Sequence, residues 1–538
     1  MGITMNTAAL LPKSSDSRPQ LDHKSGWFTA VIFLGMLVIG IAFAIYSLVN
    51  DIIDAGGEPI TWMPYILLCV ALLVALGFEF VNGFHDTANA VATVIYTHSL
   101  PANFAVLWSG FFNFLGVLFS SGAVAFGIIS LLPVELILRV GTTAGFAMVF
   151  ALLFAAIIWN LGTWLLGLPV SSSHTLIGSI IGVGVANALM HGREGTSGVD
   201  WAQAIKVGYS LLLSPLIGFI CAALLLLALR ALIKNKALYE EPKGTTPPPW
   251  WIRSLLILTC TGVSFAHGSN DGQKGMGLIM LILVGSMPMA YALNRTMPVD
   301  HMTRFIAVSR LTQESLQKNA RVGSPADPRA DLSNYVRTKV YKPEIIAALA
   351  DVTGEIGEQV KHYGDLAHMP LEAVSNVRID MYLASESIRL LEKNKTVKFD
   401  DDAKANLNVF KKNIDDATKF IPLWVKVSVA IALGLGTMVG WKRIVITVGE
   451  KIGKSHMTYA QGATAELVTM TTIAGADIFG LPVSTTHILS SAVAGAMAAN
   501  KSGLQLGTIR NLVIAWVLTL PSAMLLAGSL YWLFSKLF

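Results

Sequence analysis

The chain has 538 residues, of which 53% are hydrophobic and only 14% charged, with a formal net charge of +5. A soluble domain carries about 25% charged residues, so this composition excludes an ordinary soluble globular protein. The small positive balance makes no case for a nucleic-acid partner, because in a membrane protein basic residues act first on topology.

The elements are predicted in chain order. Residues 1–26 read as a polar tail and residues 27–62 as an extra N-terminal span with its loop. Lys13, Arg18 and Lys24 precede the apolar run Trp27–Leu48, and Asp51 and Asp54 follow it, which predicts a cytoplasmic N-terminus. The run is too long for a signal peptide and no cleavage site follows it, so it reads as an anchor.

Further apolar runs are Met63–Phe84, Phe104–Ile129, Phe146–Leu166, Val207–Leu232, Ile252–Phe265 and Met276–Leu293. Leu423–Gly440, Ala460–Phe479 and Leu512–Phe534 complete the set. Several exceed the roughly 20 residues needed to cross the hydrocarbon core. Lipid offers the backbone no partners, so they are predicted helices, about ten to twelve spans in all.

Residues 63–233 form a first membrane repeat. A basic, Pro-rich loop at 234–250, with Lys234, Lys236 and Pro247–Pro249, is expected in the cytoplasm. Residues 251–293 begin a second repeat, which residues 422–538 complete. Between these pieces, 294–421 is polar and rich in both charge signs, and reads as a soluble helical insert, also expected in the cytoplasm. Within it, Leu371–Leu391 and, more weakly, Ile345–Val360 space their apolar residues as amphipathic helices do. Arg321–Ala330 (RVGSPADPRA) reads as a flexible connection. A further basic loop, Lys442–Lys454, lies one apolar run from the insert, so charge alone does not fix the whole topology. Cys69, Cys221 and Cys260 show no metal spacing and no disulfide framework, and are expected to be buried, inert thiols.

Two motifs occur twice. GLPVSSSHTLIG at Gly167–Gly178 returns as GLPVSTTHILSS at Gly480–Ser491. FVNGFHDTANA at Phe80–Ala90 aligns with FAHGSNDGQKG at Phe265–Gly275, matching Phe80 with Phe265, Gly83 with Gly268 and Asp86 with Asp271. Paired Gly/Pro-interrupted segments at matching places in two halves are the sequence mark of a secondary transporter. The predicted fold is therefore an all-α polytopic membrane protein with two inverted repeats, re-entrant or broken helical hairpins, and a soluble helical insert. A single crossing at Pro169–Leu189 makes the halves inverted; a re-entrant segment there would make them parallel.

A Pro inside an apolar stretch starts a helix more readily than it continues one, and Ser or Thr after it can cap the new helix. Such a start presents free N–H groups and a positive dipole end, suited to phosphate or carboxylate. The candidate anion contacts are Ser171, Ser172 and Ser173 with Ser484, Thr485 and Thr486. Asp86 and Asp271 are intramembrane carboxylates and functional candidates on that ground. With Asn82, Asn89 and Asn270 they suit a hard cation or a transferable proton. Lys274 stands where Asn89 stands in the first half. It has donors only, so it pairs with an Asp, attracts an anion, or snorkels. His85, His174, His267 and His487 read as either proton relays or structural groups at the helix breaks. No nucleotide cradle, metalloprotease pattern or convincing nucleophile–base pair is found, so an enzyme is not expected.

Together these four motifs make the chain similar to the inorganic phosphate transporter (PiT) family, and above all to its bacterial low-affinity branch. The resemblance covers nearly everything from Tyr65 onward, least clearly in the insert. It implies secondary active phosphate symport, with both hairpin motifs and the Asp region building the phosphate site. It also implies proton coupling and carriage of phosphate with magnesium or another divalent metal. The family's sodium-driven members carry Asn-Asp-x-x-Asn in both halves. Here Asn89 keeps that pattern, Lys274 breaks it and His85 replaces the first-half Asn, so sodium is expected less than protons. The alternatives are a sodium-coupled symporter, a carrier of sulphate or another oxyanion, and a membrane receptor. The expected location is the bacterial inner membrane, as a multi-pass protein, without a cofactor and with a homo-oligomer as one expected state.

Overall fold

The computed structural model describes residues 27–55, 62–86, 88–131, 142–192, 199–242, 244–366, 369–393 and 397–537, with Pro19 and Leu21. The rest of the tail expected over residues 1–26 lies outside the described residues, as does the side chain of Asn89.

The membrane part is built from α1 (Trp27–Asp54), α2 (Trp62–Asp86), α3 (Ala88–Tyr96), α4 (Ala102–Phe119), α5 (Ala123–Ile129), α6 (Thr143–Leu165), α7 (Ser172–Met190), α8 (Trp201–Leu232) and α9 (Trp250–Ser286). The insert holds α10 (Val299–Asn319), α11 (Pro328–Thr338), α12 (Ile345–Tyr363), α13 (Leu371–Lys393) and α14 (Asp401–Thr418). The chain then returns through α15 (Leu423–Thr437), α16 (Tyr459–Ile478), α17 (Thr485–Ala499) and α18 (Leu506–Leu537).

Seven of the described helices are long and apolar enough to cross a membrane, eight if the pair α14–α15, bent by 68°, counts as one more. Outward-facing leucines such as Leu212, Leu224 and Leu525 stay exposed, as a lipid-facing surface requires. Cys260 is buried, but Cys69 and Cys221 are exposed. The expectation of buried thiols fails for these two because apolar composition does not distinguish a lipid-facing side from a packed one.

Two apolar runs read as separate, Ile252–Phe265 and Met276–Leu293, are joined: the first and the second as far as Ser286 belong to one continuous 37-residue helix, α9. Its polar centre is buried from Ala266 to Gly275, where packing holds the helix across a glycine-rich stretch. Phe104–Ile129, read as one run, breaks instead at Ser120–Gly122, where Gly122 takes φ +85°.

The continuity of α9 changes the topology. Asp200 caps the start of α8 and receives Lys339 of the insert at 2.8 Å and Arg389 at 3.5 Å. The other end of α8, at Leu232, leads into the basic loop, and α9 runs from that loop back toward the insert. The insert and the 234–250 loop therefore lie at opposite ends of α8 and α9. The two segments expected in the cytoplasm thus sit at the two ends of the same helices.

The insert has its own core, with Phe305, Leu349, Val377, Ile388 and Phe410 buried. The amphipathic readings at Leu371 and Ile345 correspond to α13 and α12. α1 is anchored at its end by Asp51, which accepts hydrogen bonds from Tyr291 Oη at 2.7 Å and Trp424 Nε1 at 2.9 Å.

The two helices carrying the repeated Asp run in opposite directions. The start of α9 meets the loop after α3, where Arg253 Nε donates to Ser99 O at 2.8 Å. Past the far end of α9, Tyr291 reaches Asp51, which precedes α2. The pieces also exchange partners: α2 packs on α15 and α9 on α4, while α7 packs on α18 and α17 on α8. Gly83 and Gly268 make the first exchange close. A Cβ at Gly83 would stand 2.2 Å from Leu433 O, and one at Gly268 2.1 Å from Asn113 O.

Candidate functional site: a buried centre between two hairpins

Each GLPVS motif forms a helix–turn–helix bend. Gly167 and Gly480 turn the chain with φ of 67° and 61°, a conformation that costs glycine least. After the Pro, a serine caps the next helix. Ser171 Oγ accepts from His174 N at 3.2 Å at the start of α7, and Ser484 Oγ accepts from His487 N at 3.1 Å at the start of α17. The remaining first-turn N–H groups have no intrahelical acceptor.

The hairpins are stitched together. Ser173 Oγ donates to Val483 O at 2.7 Å, and Asn270 Nδ2 donates to Leu481 O at 3.1 Å. Both hairpins also converge on Asp86. Ser172 Oγ donates to Asp86 Oδ2 at 2.6 Å, and Thr486 Oγ1 donates to Asp86 Oδ1. His85 Nδ1 contacts Asp86 Oδ1 at 3.2 Å. Thr485 Oγ1 is buried without a hydrogen-bond partner among the described residues.

Asp271, the repeat counterpart of Asp86, has different neighbours. Lys274 Nζ lies 2.6 Å from Asp271 Oδ2 and donates to Ser172 Oγ at 3.3 Å. Lys274 is fully buried, so the snorkelling reading is excluded. His267 Nδ1 donates to Asn113 Oδ1 at 2.7 Å, because an amide oxygen can only accept. This turns Nε2 to Asp271 Oδ2, 3.4 Å away. Asp86, His267 and Asp271 each bring one ligand atom to within 4.8 Å of the others, a set able to hold a cation through oxygen and imidazole nitrogen.

His174 and His487 meet across the two hairpins with ring centroids 4.7 Å apart, and His487 stacks on Trp516 at 4.1 Å. The structure thus brings together Asp86, Asp271, Lys274, Ser172, Thr486, His85 and His267. It uses Ser171 and Ser484 as caps, and Ser173 and Asn270 as ties between segments.

Sequence reading missed several groups. Glu79 is fully buried one helical face from the motif and accepts from Asn82 Nδ2 at 3.2 Å. Glu466, also fully buried, accepts from Thr259 at 2.5 Å and from Thr93. Both stand inside apolar runs, so the argument that singled out the two Asp residues applies to them equally. Asn113 and Asp477 were missed as well. Asp477 Oδ2 accepts from Ser269 Oγ at 2.6 Å and Oδ1 from Gln273 Nε2 at 2.7 Å, which ties α9 to the second hairpin.

A polytopic helical protein whose paired broken segments enclose a buried polar centre has the architecture of a membrane transporter. The comparisons with known proteins agree, and the chain belongs to the phosphate transporter family (PHO4), whose model matches residues 82–527. It is 41% identical over 486 residues to the low-affinity inorganic phosphate transporter PitA of Escherichia coli (strain K12), covering 87% of this chain and 96% of that one. It is likewise 41% identical over 480 residues to the low-affinity inorganic phosphate transporter of Buchnera aphidicola subsp. Acyrthosiphon pisum (strain APS), covering 87% and 96%. A solved structure described as the sodium-dependent phosphate transporter aligns with 88% of this chain and 100% of its own, at 20% identity and a TM-score of 0.49. The resemblance to the bacterial low-affinity branch is borne out, and the chain is a multi-pass protein of the bacterial inner membrane.

Proposed function

We propose that the protein is a proton-coupled symporter of inorganic phosphate that works by alternating access. The relatives described as low-affinity inorganic phosphate transporters support the substrate. The observation that carries the mechanism is Asp86, held at once by Ser172 of one hairpin and Thr486 of the other.

Two capped helix starts, their hydroxyls and the Lys274 ammonium form a set of donors for a tetrahedral oxyanion. Asp86 occupies part of that set by accepting from Ser172 and Thr486. A carboxylate beside an incoming anion repels it strongly where the dielectric is low. A proton arriving on Asp86 removes this repulsion and frees Ser172 and Thr486 to donate to phosphate. Substrate and proton are then bound together by necessity.

Lys274 favours protons over sodium. Its ammonium lies 2.6 Å from Asp271, so a tethered cation fills the place of an oxygen ligand in the sodium-type pattern. A divalent cation delivered with phosphate as cargo would find His267 and Asp271 as ligands, joined by Asp86 only while its carboxyl is unprotonated. The opposed directions of the two motif helices support an inverted repeat, with the hairpins as the elements that rock about the centre.

Charge supports an orientation. Arg230, Lys234, Lys236, Arg253, Lys442 and Arg443 lie in short connections or the helix ends beside them, on the face away from the insert. By the positive-inside rule that face is cytoplasmic, so the insert lies outside.

The test is uptake of radiolabelled phosphate by proteoliposomes under an inward proton gradient or an inward sodium gradient, each with and without magnesium. Uptake driven by protons alone is expected. Uptake driven only by sodium would refute the role given to Lys274, and preference for sulphate would refute the substrate.

A further inference from the structure

Between the insert and the membrane helices lies a cavity of about 150 Å³, lined by both charged and apolar side chains. A single water needs about 10–15 Å³ measured this way, so the space admits a small polyatomic ion. Its membrane wall includes Phe126, Met280 and Leu281, and the insert contributes Arg337, Arg378 and Lys339.

The charges lining it do not balance. Lys339 and Arg389 share Asp200 at 2.8 and 3.5 Å, Arg389 also pairs with Glu386 at 2.6 Å, and Lys419 pairs with Asp415 at 2.8 Å. Among the described residues, no carboxylate lies within ion-pair distance of Arg378 or Arg337. Arg378 Nη1 donates to Ala292 O at 2.5 Å and to Thr418 O at 3.3 Å, and Arg337 Nη2 donates to Asn334 Oδ1 at 2.9 Å. These contacts orient both guanidinium groups and leave their charge without a counter-ion. Burial pushes Arg378 down to about 10, as it does for a cation lacking an anionic partner.

We propose that this junction cavity binds a phosphate-type oxyanion, with Arg378 and Arg337 as its charged ligands. Guanidinium offers the planar pair of N–H donors that matches two oxygens of a phosphate, and the apolar membrane wall closes one side of the cavity, with Arg337 at its exposed edge. The ion comes either as free orthophosphate or as the phosphate of an anionic lipid headgroup. In either case it cross-links α11 and α13 of the insert where they face the ends of α5 and α9. The inference goes beyond the transport reading and does not depend on it.

The test is hydrogen–deuterium exchange of the full-length protein in nanodiscs, read at residues 328–338 and 371–393. At a phosphate concentration about ten times the dissociation constant, exchange through local opening slows about tenfold. Slowing by added inorganic phosphate in purely zwitterionic lipid identifies the free ion. Slowing without added phosphate, seen only with phosphatidylglycerol in the disc, identifies the headgroup.

Arg378→Met abolishes the effect, and Arg337→Gln, at an exposed position, weakens it without threatening the fold. The Ser172→Ala/Thr486→Ala double variant, altered only at the central site, retains it. Unchanged exchange at both segments under both conditions overturns the proposal. So does slowing that persists in both arginine variants or vanishes in the central double variant.

Discussion

Lys274 Nζ sits 2.6 Å from Asp271 Oδ2, whereas Asp86, at the matching place of the other half, is held by Ser172 and Thr486. A repeated framework thus carries an unsymmetrical centre, with a fixed cation on one side and exchangeable hydroxyl donors on the other. Removing one partner of a buried ion pair costs about 3–5 kcal/mol. Lys274→Gln is therefore expected to lower proton-driven phosphate uptake by at least about tenfold, and Lys274→Asn to make uptake respond to sodium. Uptake by proteoliposomes under the two gradients checks both. Unchanged proton-driven uptake in Lys274→Gln would remove the lysine from the mechanism.

The hydroxyls on Asp86 make a graded prediction. A hydrogen bond to a charged group contributes about 1.5–3 kcal/mol, so Ser172→Ala and Thr486→Ala should each raise the KM for phosphate by about tenfold or more. The double variant should exceed either one. Among the described residues Thr485 Oγ1 has no hydrogen-bond partner, so a raised KM in Thr485→Ala would report a contact that this hydroxyl makes to phosphate. Uptake rates against phosphate concentration decide all of these.

Gly83 and Gly268 test the packing exchange. With carbonyl oxygens 2.2 and 2.1 Å from where a Cβ would stand, Gly83→Ala and Gly268→Ala must push helices apart. Overpacking of this kind costs about 1–3 kcal/mol. Gly162, with nothing within 4 Å of such an atom, is the control. Thermal unfolding in detergent should show lowered midpoints for the first two and little change for Gly162→Ala.

Asp200 makes docking of the insert sensitive to acid. Burial alone would raise its carboxyl, but hydrogen bonds from Lys339 and the Gln203 N–H, with the charges of Lys339 and Arg389, outweigh burial and hold it below its ordinary 3.8. A carboxyl lowered by folding adds stability above its unfolded value, and that stability is lost as the pH falls through the folded value. Docking should therefore loosen as the pH drops below about 4, seen as faster proteolysis at the α10–α11 connection. Asp200→Asn should dock less firmly at neutral pH and respond less to acid. An identical acid response in that variant would contradict the assignment.

The orientation can be checked by labelling. Lys404→Cys in the insert and Lys236→Cys in the basic loop are both at exposed positions. In a background lacking Cys69 and Cys221, a membrane-impermeant maleimide applied to intact cells should label the first and not the second. The opposite pattern would put the insert inside.

Much of the centre was legible because repetition is a property of the sequence itself: the two GLPVS motifs and the two Asp motifs identify each other. The capping serines follow from local chemistry, since a hydroxyl after a Pro-containing turn has a nearby N–H to accept from. What stayed hidden depends on distance through space. Nothing local to Asp86 shows that Thr486, 400 residues further on, would reach it, nor that His174 would face His487. The continuity of α9 was obscured because Gly-Ser-Asn-Asp-Gly is also what a helix break looks like, and only the close packing of α4 against Gly268 shows otherwise. Glu79 and Glu466 were legible and overlooked, since neither belongs to a repeated motif.

α9 also has a mechanical meaning. At about 1.5 Å per residue its 37 residues form a rod of about 55 Å. Asp271 and Lys274 lie a little past the middle, the basic loop is at one tip and the insert's anchorage at the other. A tilt of about 10° around the centre would swing each tip by about 5 Å in opposite senses. Such a beam ties the chemistry at its fulcrum to both of its ends: whatever grips the insert at one tip also sets how freely the basic-loop tip can move.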